Sequence, residues 1–256
     1  MTLIANAGVF IEYKEHTLLV DGLQDGAARL FPTSPTPEET IAEMTSGGSP
    51  LSNIDTLLFT HEHRDHLSLP LLLRYLENNR VKRLILPAGI NLFAAWPEKT
   101  AVLNDCIICH ADRERIRAFQ IDAGVIVYAL PTAHMGEQFH AVCHSCFLID
   151  LDGITLLFLG DADPASASLN LVPSINMVFT NPVFLHNPVG RHFIRTLHPY
   201  ATAVYHIPYE KDGRQYRHAV LHEIQSIEQE GFPVFPFCTA GQVIVYDRGR
   251  FLIDAS

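Results

Sequence analysis

Residues 60–66 read Thr60-His61-Glu62-His63-Arg64-Asp65-His66, a density of metal-binding side chains that packing alone rarely requires. The apolar run 54–60 before it predicts a β-strand, and the leucines after Ser68 predict a helix. Side chains two positions apart in an extended segment point to the same side, so His61 and His63 share a side. Asp65 and His66 follow as the chain turns towards the helix. The loop can therefore present two sets of ligands to neighbouring metal ions.

Three further residues of ligand type follow apolar runs later in the chain: His134, Asp161 and His206. Each run predicts a β-strand, and open α/β sheets place their ligand sites at the ends of their strands. Short β-branched runs alternate with helix-like stretches along the whole sequence, which predicts one α/β domain over residues 1–256. We therefore expect the three residues to join the 60–66 loop at one edge of the fold.

The order His-x-His-x-Asp-His followed by a distant His, an Asp and a His resembles the metallo-β-lactamase superfamily. All seven positions are present in this order. The resemblance implies an α/β (α+β) fold, a four-layer αββα sandwich with metals at one edge between two mixed sheets. It also implies a ligand set: His61, His63 and His134 for one metal ion, Asp65, His66 and His206 for a second, and Asp161 as the bridge between them.

Imidazole and carboxylate ligands suit two divalent cations, with Zn²⁺ the first expectation and Mn²⁺ or Fe²⁺ as competitors. A hydroxide bridging two such cations is a nucleophile at neutral pH, so no Ser or Cys nucleophile is needed. Asp65 and Asp161 are the predicted catalytic residues, because Asp65 can orient the hydroxide or pass its proton to the leaving group. We expect a metal-dependent hydrolase that cleaves an ester, lactone or phosphodiester bond.

Several features of the sequence indicate which branch of the superfamily it resembles. His63 stands where the redox di-iron members carry an acidic residue, which favours the hydrolytic branch. Asp161 and the lack of a signal-like start argue against an exported lactam-hydrolysing enzyme. The length argues against the nucleic-acid-processing branch, and no helical domain of the glyoxalase II kind is evident. The small cytoplasmic hydrolases remain, among which the chain is similar to sugar-phosphate lactonases.

Composition and charge limit the kinds of partner that the protein can bind. The formal net charge is −10, from 18 basic and 28 acidic residues, which disfavours bulk binding of nucleic acid. No apolar run is long enough for a membrane span, so we expect a cytoplasmic protein. We also expect its substrate to be a small anionic molecule. Residues 191–218 nevertheless carry five Lys and Arg against two Asp and Glu. Arg191 and Arg214 could clamp an anionic substrate from this segment, although a solvated surface explains them equally well.

Two alternatives compete with the hydrolase. Cys106-x-x-Cys109 and Cys143-x-x-Cys146 form two CxxC pairs, which raises the possibility of a zinc ribbon. Their separation of 33 residues exceeds the usual ribbon interval, and small buried hydrophobes are the favoured interpretation. A catalytically degenerate scaffold on the same fold is the second alternative.

Some positions carry weaker signals. Asp21 ends a predicted strand and is expected to support the site, as is Asp163, which alternatively caps a helix. His140, His144, His186 and His192 lie near predicted loops or strand ends, where solvated or structural roles are favoured over substrate contact. Residues 89–118 could not be divided into elements, because Pro97 interrupts an otherwise helical pattern.

Overall fold

A computed structural model of the chain describes residues 1–27, 31–166 and 174–253. Its first sheet contains six strands in the order of the sequence, antiparallel from β1 to β3 and parallel from β3 to β6. The strands are β1 (Thr2–Ala5), β2 (Gly8–Tyr13), β3 (His16–Val20), β4 (Thr56–Leu58), β5 (Arg83–Leu86) and β6 (Ile107–His110). Four helices connect them: α1 (Glu38–Thr45), α2 (Leu69–Asn78), α3 (Leu92–Ala95) and α4 (Thr100–Asn104).

The second sheet contains seven strands and runs from β13 at one edge to β7 at the other. Its strands are β7 (Arg117–Asp122), β8 (Val125–Thr132), β9 (His144–Leu151), β10 (Ile154–Phe158), β11 (Met177–Thr180), β12 (Ala201–Val204) and β13 (Val234–Pro236). Pairing is antiparallel from β7 to β10 and parallel from β10 to β13. The accompanying helices are α5 (Pro182–His186), α6 (Pro188–Leu197) and α7 (Glu210–Gln229), and a hairpin of β14 (Ile244–Asp247) and β15 (Arg250–Ile253) follows.

Three apolar clusters separate four layers. One cluster lies between the two sheets, a second between the first sheet and its helices, and a third between the second sheet and its helices. Neighbouring residues of a strand belong to different clusters. In β4, Leu58 faces the other sheet and Leu57 faces the helices, and in β11 Phe179 faces the other sheet and Val178 faces the helices. Alternating side chains are thus buried on both faces of each sheet, as in strands covered on both sides. The expected αββα sandwich is confirmed.

The strand predicted at 54–60 is present as β4, and two hairpins connect neighbouring strands through short turns. The hairpin at residues 9–20 is formed by β2 and β3, and the turn at Asp152-Gly153 joins β9 to β10 with both residues at positive φ, which are 53° and 89°. The undivided segment 89–118 contains α3, a 3₁₀ turn, α4 and β6. Helix α2 begins after Ser68 as predicted, but the Ser68 hydroxyl donates to Asp25 instead of capping the helix. Within the described ranges, no helix combines the length and apolar character that a bilayer span requires.

Candidate metal centre

The seven predicted ligands meet at one edge of the sandwich. The loop between β4 and α2 supplies four of them, and the segments after β8, β10 and β12 supply one each. These three strands run parallel to one another, so their carboxyl ends lie at the same edge of the sheet. The ligand atoms form two groups, each with all atoms within 4.8 Å of one another: His61, His63 and His134; and Asp65, His66, Asp161 and His206. All but His63 are buried. The structure thus brings the members of each implied set together, with the implied bridge Asp161 in the second group.

Asp161 lies between the two groups. Its Oδ2 is 3.7 Å from Nε2 of His134 in the first group and 3.6 Å from Nε2 of His66 in the second. Its Oδ1 is 3.8 Å from Nε2 of His206. A carboxylate in this position can contact ions held by either group, as the expected bridge requires.

Hydrogen bonds fix which ring nitrogen of three histidines carries the proton. Nδ1 of His66 donates to Asp21 at 2.8 Å, and Nδ1 of His134 donates to the Met135 carbonyl at 2.7 Å. The Thr60 hydroxyl donates to Asp21 at 2.7 Å, so its oxygen accepts from Nδ1 of His61 at 3.0 Å. Nε2 is then the nitrogen of each ring that can bind a metal ion. Such outer contacts orient metal-binding imidazoles and raise their basicity, which is the supporting role expected of Asp21.

The facing lone pairs provide a test of whether the residues suit a metal. Nε2 of His61 lies 3.3 Å from Nε2 of His134, and Nε2 of His66 lies 3.2 Å from Nε2 of His206. Both nitrogens of the His61–His134 pair are unprotonated, because burial lowers the pKa of each imidazole, so they repel each other unless a cation lies within reach of both. Buried imidazoles and carboxylates with no thiolate among them are a donor set for Zn²⁺, Mn²⁺ or Fe²⁺. The residues therefore fit divalent metal ions.

Carboxylates and imidazoles shift one another's pKa values within the cluster. Burial lowers the pKa of His66, but Asp161 and Asp21 outweigh it and raise that pKa well above its usual value, so a metal ion bound at Nε2 would displace a proton. Burial lowers the pKa of His61 well below its usual value, and the adjacent imidazole of His66 lowers it further. Burial raises the pKa of Asp161, but the neighbouring His66 and His206 outweigh it and hold that pKa far below its usual range. Asp161 is therefore ionised and His61 neutral, the protonation states in which both bind metals.

His206 adopts an unusual backbone conformation. Its φ is 59°, in the left-handed region that costs a non-glycine residue about 1–2 kcal/mol. Its N–H donates to the Asn6 carbonyl at 2.8 Å, and the Asn6 amide donates to the Asp65 carbonyl at 3.3 Å. Asn6 thus ties two ligand segments together and holds His206 in place. Strain of this kind is concentrated at functional sites.

Sequence reasoning missed the contact that holds the Asp161 backbone. The Asp161 N–H donates to Nε2 of buried His144 at 3.0 Å, and Nδ1 of His144 donates to the Thr132 hydroxyl at 2.6 Å. Gly160 has φ 53°, and a Cβ there would lie 2.7 Å from Nε2 of His144. The glycine before Asp161 was a signal that could have revealed this close approach.

Asn181 is a second missed residue. Its amide donates to the Asp161 carboxylate at 3.1 Å and to the Gly160 carbonyl at 2.8 Å, while its Oδ1 accepts the Phe184 N–H and caps α5. The Asn-Pro sequence signals a helix start, but nothing in it indicates a partner 20 residues away. Asp163, by contrast, accepts the Ala165 N–H and lies outside both ligand groups.

A cavity of about 590 Å³ opens beside the ligands. Five of the seven ligands line it: His63, Asp65, His134, Asp161 and His206. The volume is that of a small-molecule site. The site is therefore accessible from a cleft of suitable size for a substrate.

The structure does not bring Arg191 or Arg214 to this cavity. One guanidinium nitrogen of Arg191 donates to the Leu185 and His186 carbonyls at the end of α5. Arg214 is 73% exposed and pairs with Glu210 one turn earlier on α7. Because both guanidiniums are engaged away from the cleft, neither forms the expected anion clamp.

The four cysteines of the two CxxC pairs belong to different sheets. Cys106 and Cys109 lie at β6 of the first sheet, and Cys143 and Cys146 lie at β9 of the second. Burial raises the pKa of Cys106 to about 11 and that of Cys146 to about 12, so both are thiols rather than metal-binding thiolates. Among the residues that the structure covers, neither ligand group contains a cysteine.

No protein-family model and no curated protein matches the chain. Solved structures do match it. The metallo-β-lactamase fold protein YhfI from Bacillus subtilis superposes with a TM-score of 0.54 at 13% identity, over 93% of this chain and 90% of YhfI. The chain has the metallo-β-lactamase fold.

Two further structures share this fold. Igni18, a metallo hydrolase from the archaeon Ignicoccus hospitalis, superposes with a TM-score of 0.58 at 12% identity, over 94% of this chain and 96% of Igni18. CmlA, a diiron β-hydroxylase from Streptomyces venezuelae, gives a TM-score of 0.60 at 17% identity, over 98% of this chain and 53% of CmlA. The present chain thus spans about half the length of CmlA. Identities this low establish the fold that the chain shares with these proteins.

Proposed function

We propose that the protein is a dinuclear metal-dependent hydrolase that cleaves an ester, lactone or phosphodiester bond of a small substrate. The observation that carries the proposal is the pair of ligand groups with Asp161 between them, at the wall of a cleft of substrate size. Two divalent cations held there supply Lewis acidity towards the scissile bond and lower the pKa of a water molecule.

The chain's own residues supply the remaining chemistry. Asp21, Thr60 and the Met135 carbonyl hold three imidazoles in one tautomer, and Asn181 and His144 hold Asp161 in place. Such preorganised groups need no rearrangement as the reaction proceeds.

Asp65 is the proposed proton carrier. Burial raises its pKa, but the hydrogen bond to His206 at 3.3 Å outweighs this and lowers the pKa, so the carboxylate is ionised. Because Asp65 also lines the cleft, it can accept a proton from the attacking water and deliver it to the leaving group.

The test is hydrolysis of chromogenic esters, lactones and phosphodiesters by protein stripped with a chelator and reconstituted with Zn²⁺, Mn²⁺ or Fe²⁺. We expect one bond class to respond, activity to disappear with the chelator, and His61→Ala to abolish it. His218→Ala, an exposed change on α7, serves as the control. Turnover that survives metal removal, or no turnover in any class with any of the three metals, contradicts the proposal.

A further inference from the structure

One part of the lining of the cleft, its apolar wall, carries aliphatic and aromatic side chains. It includes six half-buried side chains from separate parts of the fold: Leu69, Ile90, Met135, Phe139, Val183 and Tyr216. Core residues of this protein are fully covered, whereas these six retain surface that faces the cleft. An apolar group of a ligand can cover that surface, which favours binding in proportion to the area buried.

The apolar wall begins directly beside the ligands. The ring of Phe139 meets two imidazoles edge-on, with centroid distances of 4.8 Å to His63 and 5.1 Å to His134. Atoms next to a bond under attack at the metal centre therefore contact aromatic surface. The cavity of about 590 Å³ leaves room for a chain of several carbons.

The charged residues at the cleft are already paired or acidic. Arg64 is the one Lys or Arg among the described residues that line it, and its guanidinium bonds to Asp25 at 2.6 and 3.1 Å. Glu62 also lines the cleft and repels anions. Within the described part of the lining, a negatively charged tail of the substrate therefore finds no unpaired Lys or Arg.

We infer that the substrate is a carboxylic ester or lactone whose acyl part is an uncharged aliphatic chain lying along this wall. The inference rests on the proposed hydrolase function and specifies its substrate class. Water adds to the acyl carbon, the acyl carbon–oxygen bond breaks and the leaving oxygen takes one proton of the water. An ester gives a carboxylate, an alcohol and a released proton, whereas a lactone gives one hydroxycarboxylate and a released proton.

The chain-length dependence of hydrolysis tests this inference. A buried methylene contributes about 0.8 kcal/mol, or nearly fourfold, and a half-covered one about twofold. We therefore expect kcat/KM for p-nitrophenyl esters to rise about tenfold or more from acetate to hexanoate. Replacing the hexanoyl terminus with a carboxylate, as in the adipate half ester, should remove the gain. A flat series, or a preference for the carboxylate, contradicts the inference.

The chain offers a matched pair of variants. Asn181-Pro182-Val183 and Asn187-Pro188-Val189 both start a helix with an Asn cap and a Pro in the first turn. Val183 faces the cleft, whereas Val189 is 54% exposed on α6. Val183→Asn should reduce the gain from acetate to hexanoate about fivefold, and Val189→Asn should leave it unchanged. Equal effects of the two variants contradict the inference.

A binding measurement separates this inference from the hydrolase proposal. Octanoate and acetate are titrated into the metal-loaded protein by calorimetry, and octanoate should bind at least tenfold more tightly, with the difference reduced in Val183→Asn. This result without hydrolysis of any ester contradicts the hydrolase but supports the apolar site. Ester hydrolysis with equal binding of both acids contradicts the apolar site and leaves the hydrolase in place.

Discussion

Gly160 is the residue at which backbone geometry most directly limits the metal centre. It precedes Asp161, and a Cβ at this position meets Nε2 of His144 at 2.7 Å and Thr60 at 3.1 Å. Both neighbours are buried, so neither can move aside without disturbing a ligand. The small residue is therefore a condition for the position of Asp161.

Gly160→Ala is predicted to weaken metal binding at least tenfold, because the added methyl group displaces His144 or Thr60. Metal affinity is measured by competition with a chromogenic chelator. Gly89→Ala is the control, since Gly89 also has a positive φ, 94°, but has no neighbour within 4 Å of an added Cβ. Equal metal binding by the two variants would show that Gly160 does not limit the position of Asp161.

His144 gives a prediction for pH. Burial, and next the imidazole of His134, lowers the pKa of His144 to about 3. Below pH 6.5 the unfolded chain binds a proton at this residue that the folded chain does not, so stability falls as the pH falls towards 3. One such proton contributes at most about 1.4 kcal/mol per pH unit.

The experiment compares urea unfolding of metal-free wild type and His144→Gln between pH 6.5 and 5. As the pH falls, the free energy of unfolding should decrease more steeply in the wild type than in His144→Gln, by up to about 1.4 kcal/mol per pH unit, the contribution of one proton. The other buried histidines are present in both proteins and contribute equally to both. His218→Gln, at an exposed position, should keep the wild-type slope. Identical slopes for wild type and His144→Gln would show that His144 is not held neutral.

Among single residues, the sequence indicated the candidate ligands and one support, Asp21, but not the supports His144 and Asn181. The 60–66 motif, His134, Asp161 and His206 are recognisable because metal ligands follow strands in a fixed order. His144 and Asn181 reach Asp161 across 17 and 20 residues through the pairing of strands. Such contacts depend on register and rotamers, which composition and spacing do not encode.

The capping residue of helix α5 also contacts the candidate metal centre. Asn181 caps this helix and also holds the Asp161 carboxylate, whereas Asn187 caps α6 in the same way without touching a ligand. Removing either cap should cost about 1 kcal/mol of stability. The two helix starts therefore allow capping to be separated from support of the site.

Asn181→Ala is predicted to lower metal affinity about tenfold, because the carboxylate of Asp161 loses a charge-assisted hydrogen bond. Asn187→Ala should lower stability to a similar extent and leave metal affinity unchanged. Calorimetric metal titrations and urea unfolding of both variants provide the measurement. A similar loss of affinity in both would indicate that the effect arises from the helix rather than from the contact to Asp161.

Elements with strong periodicity were predictable, and short irregular ones were not. The β2–β3 and β9–β10 hairpins and the helices α2, α6 and α7 follow from alternating or helical apolar patterns. The segment 89–118 instead divides into pieces of three to five residues, and Pro97 starts a 3₁₀ turn. Pieces this short bury too few side chains to show a period.

At the scale of the whole molecule, the metal centre forms where the two sheets meet. The 60–66 loop belongs to the first sheet, and His134, Asp161 and His206 follow strands of the second. The Ser145 N–H of β9 donates to the Thr60 carbonyl at 3.0 Å and ties the sheets together beside the ligands. The order of the ligands could be read from the sequence, but their distances depend on how the sandwich closes around its central core.

The number of metal ions per chain is the direct test of a dinuclear centre. Stripped protein is reconstituted with Zn²⁺, freed of excess metal by gel filtration and analysed by mass spectrometry for metal against amino-acid analysis for protein. A dinuclear centre that shares Asp161 and has no cysteine ligand predicts two ions per wild-type chain, one or fewer for Asp161→Ala, and no loss of metal after alkylation of the cysteines. One ion or none in the wild type, two ions in Asp161→Ala, or release of zinc by alkylation would contradict it.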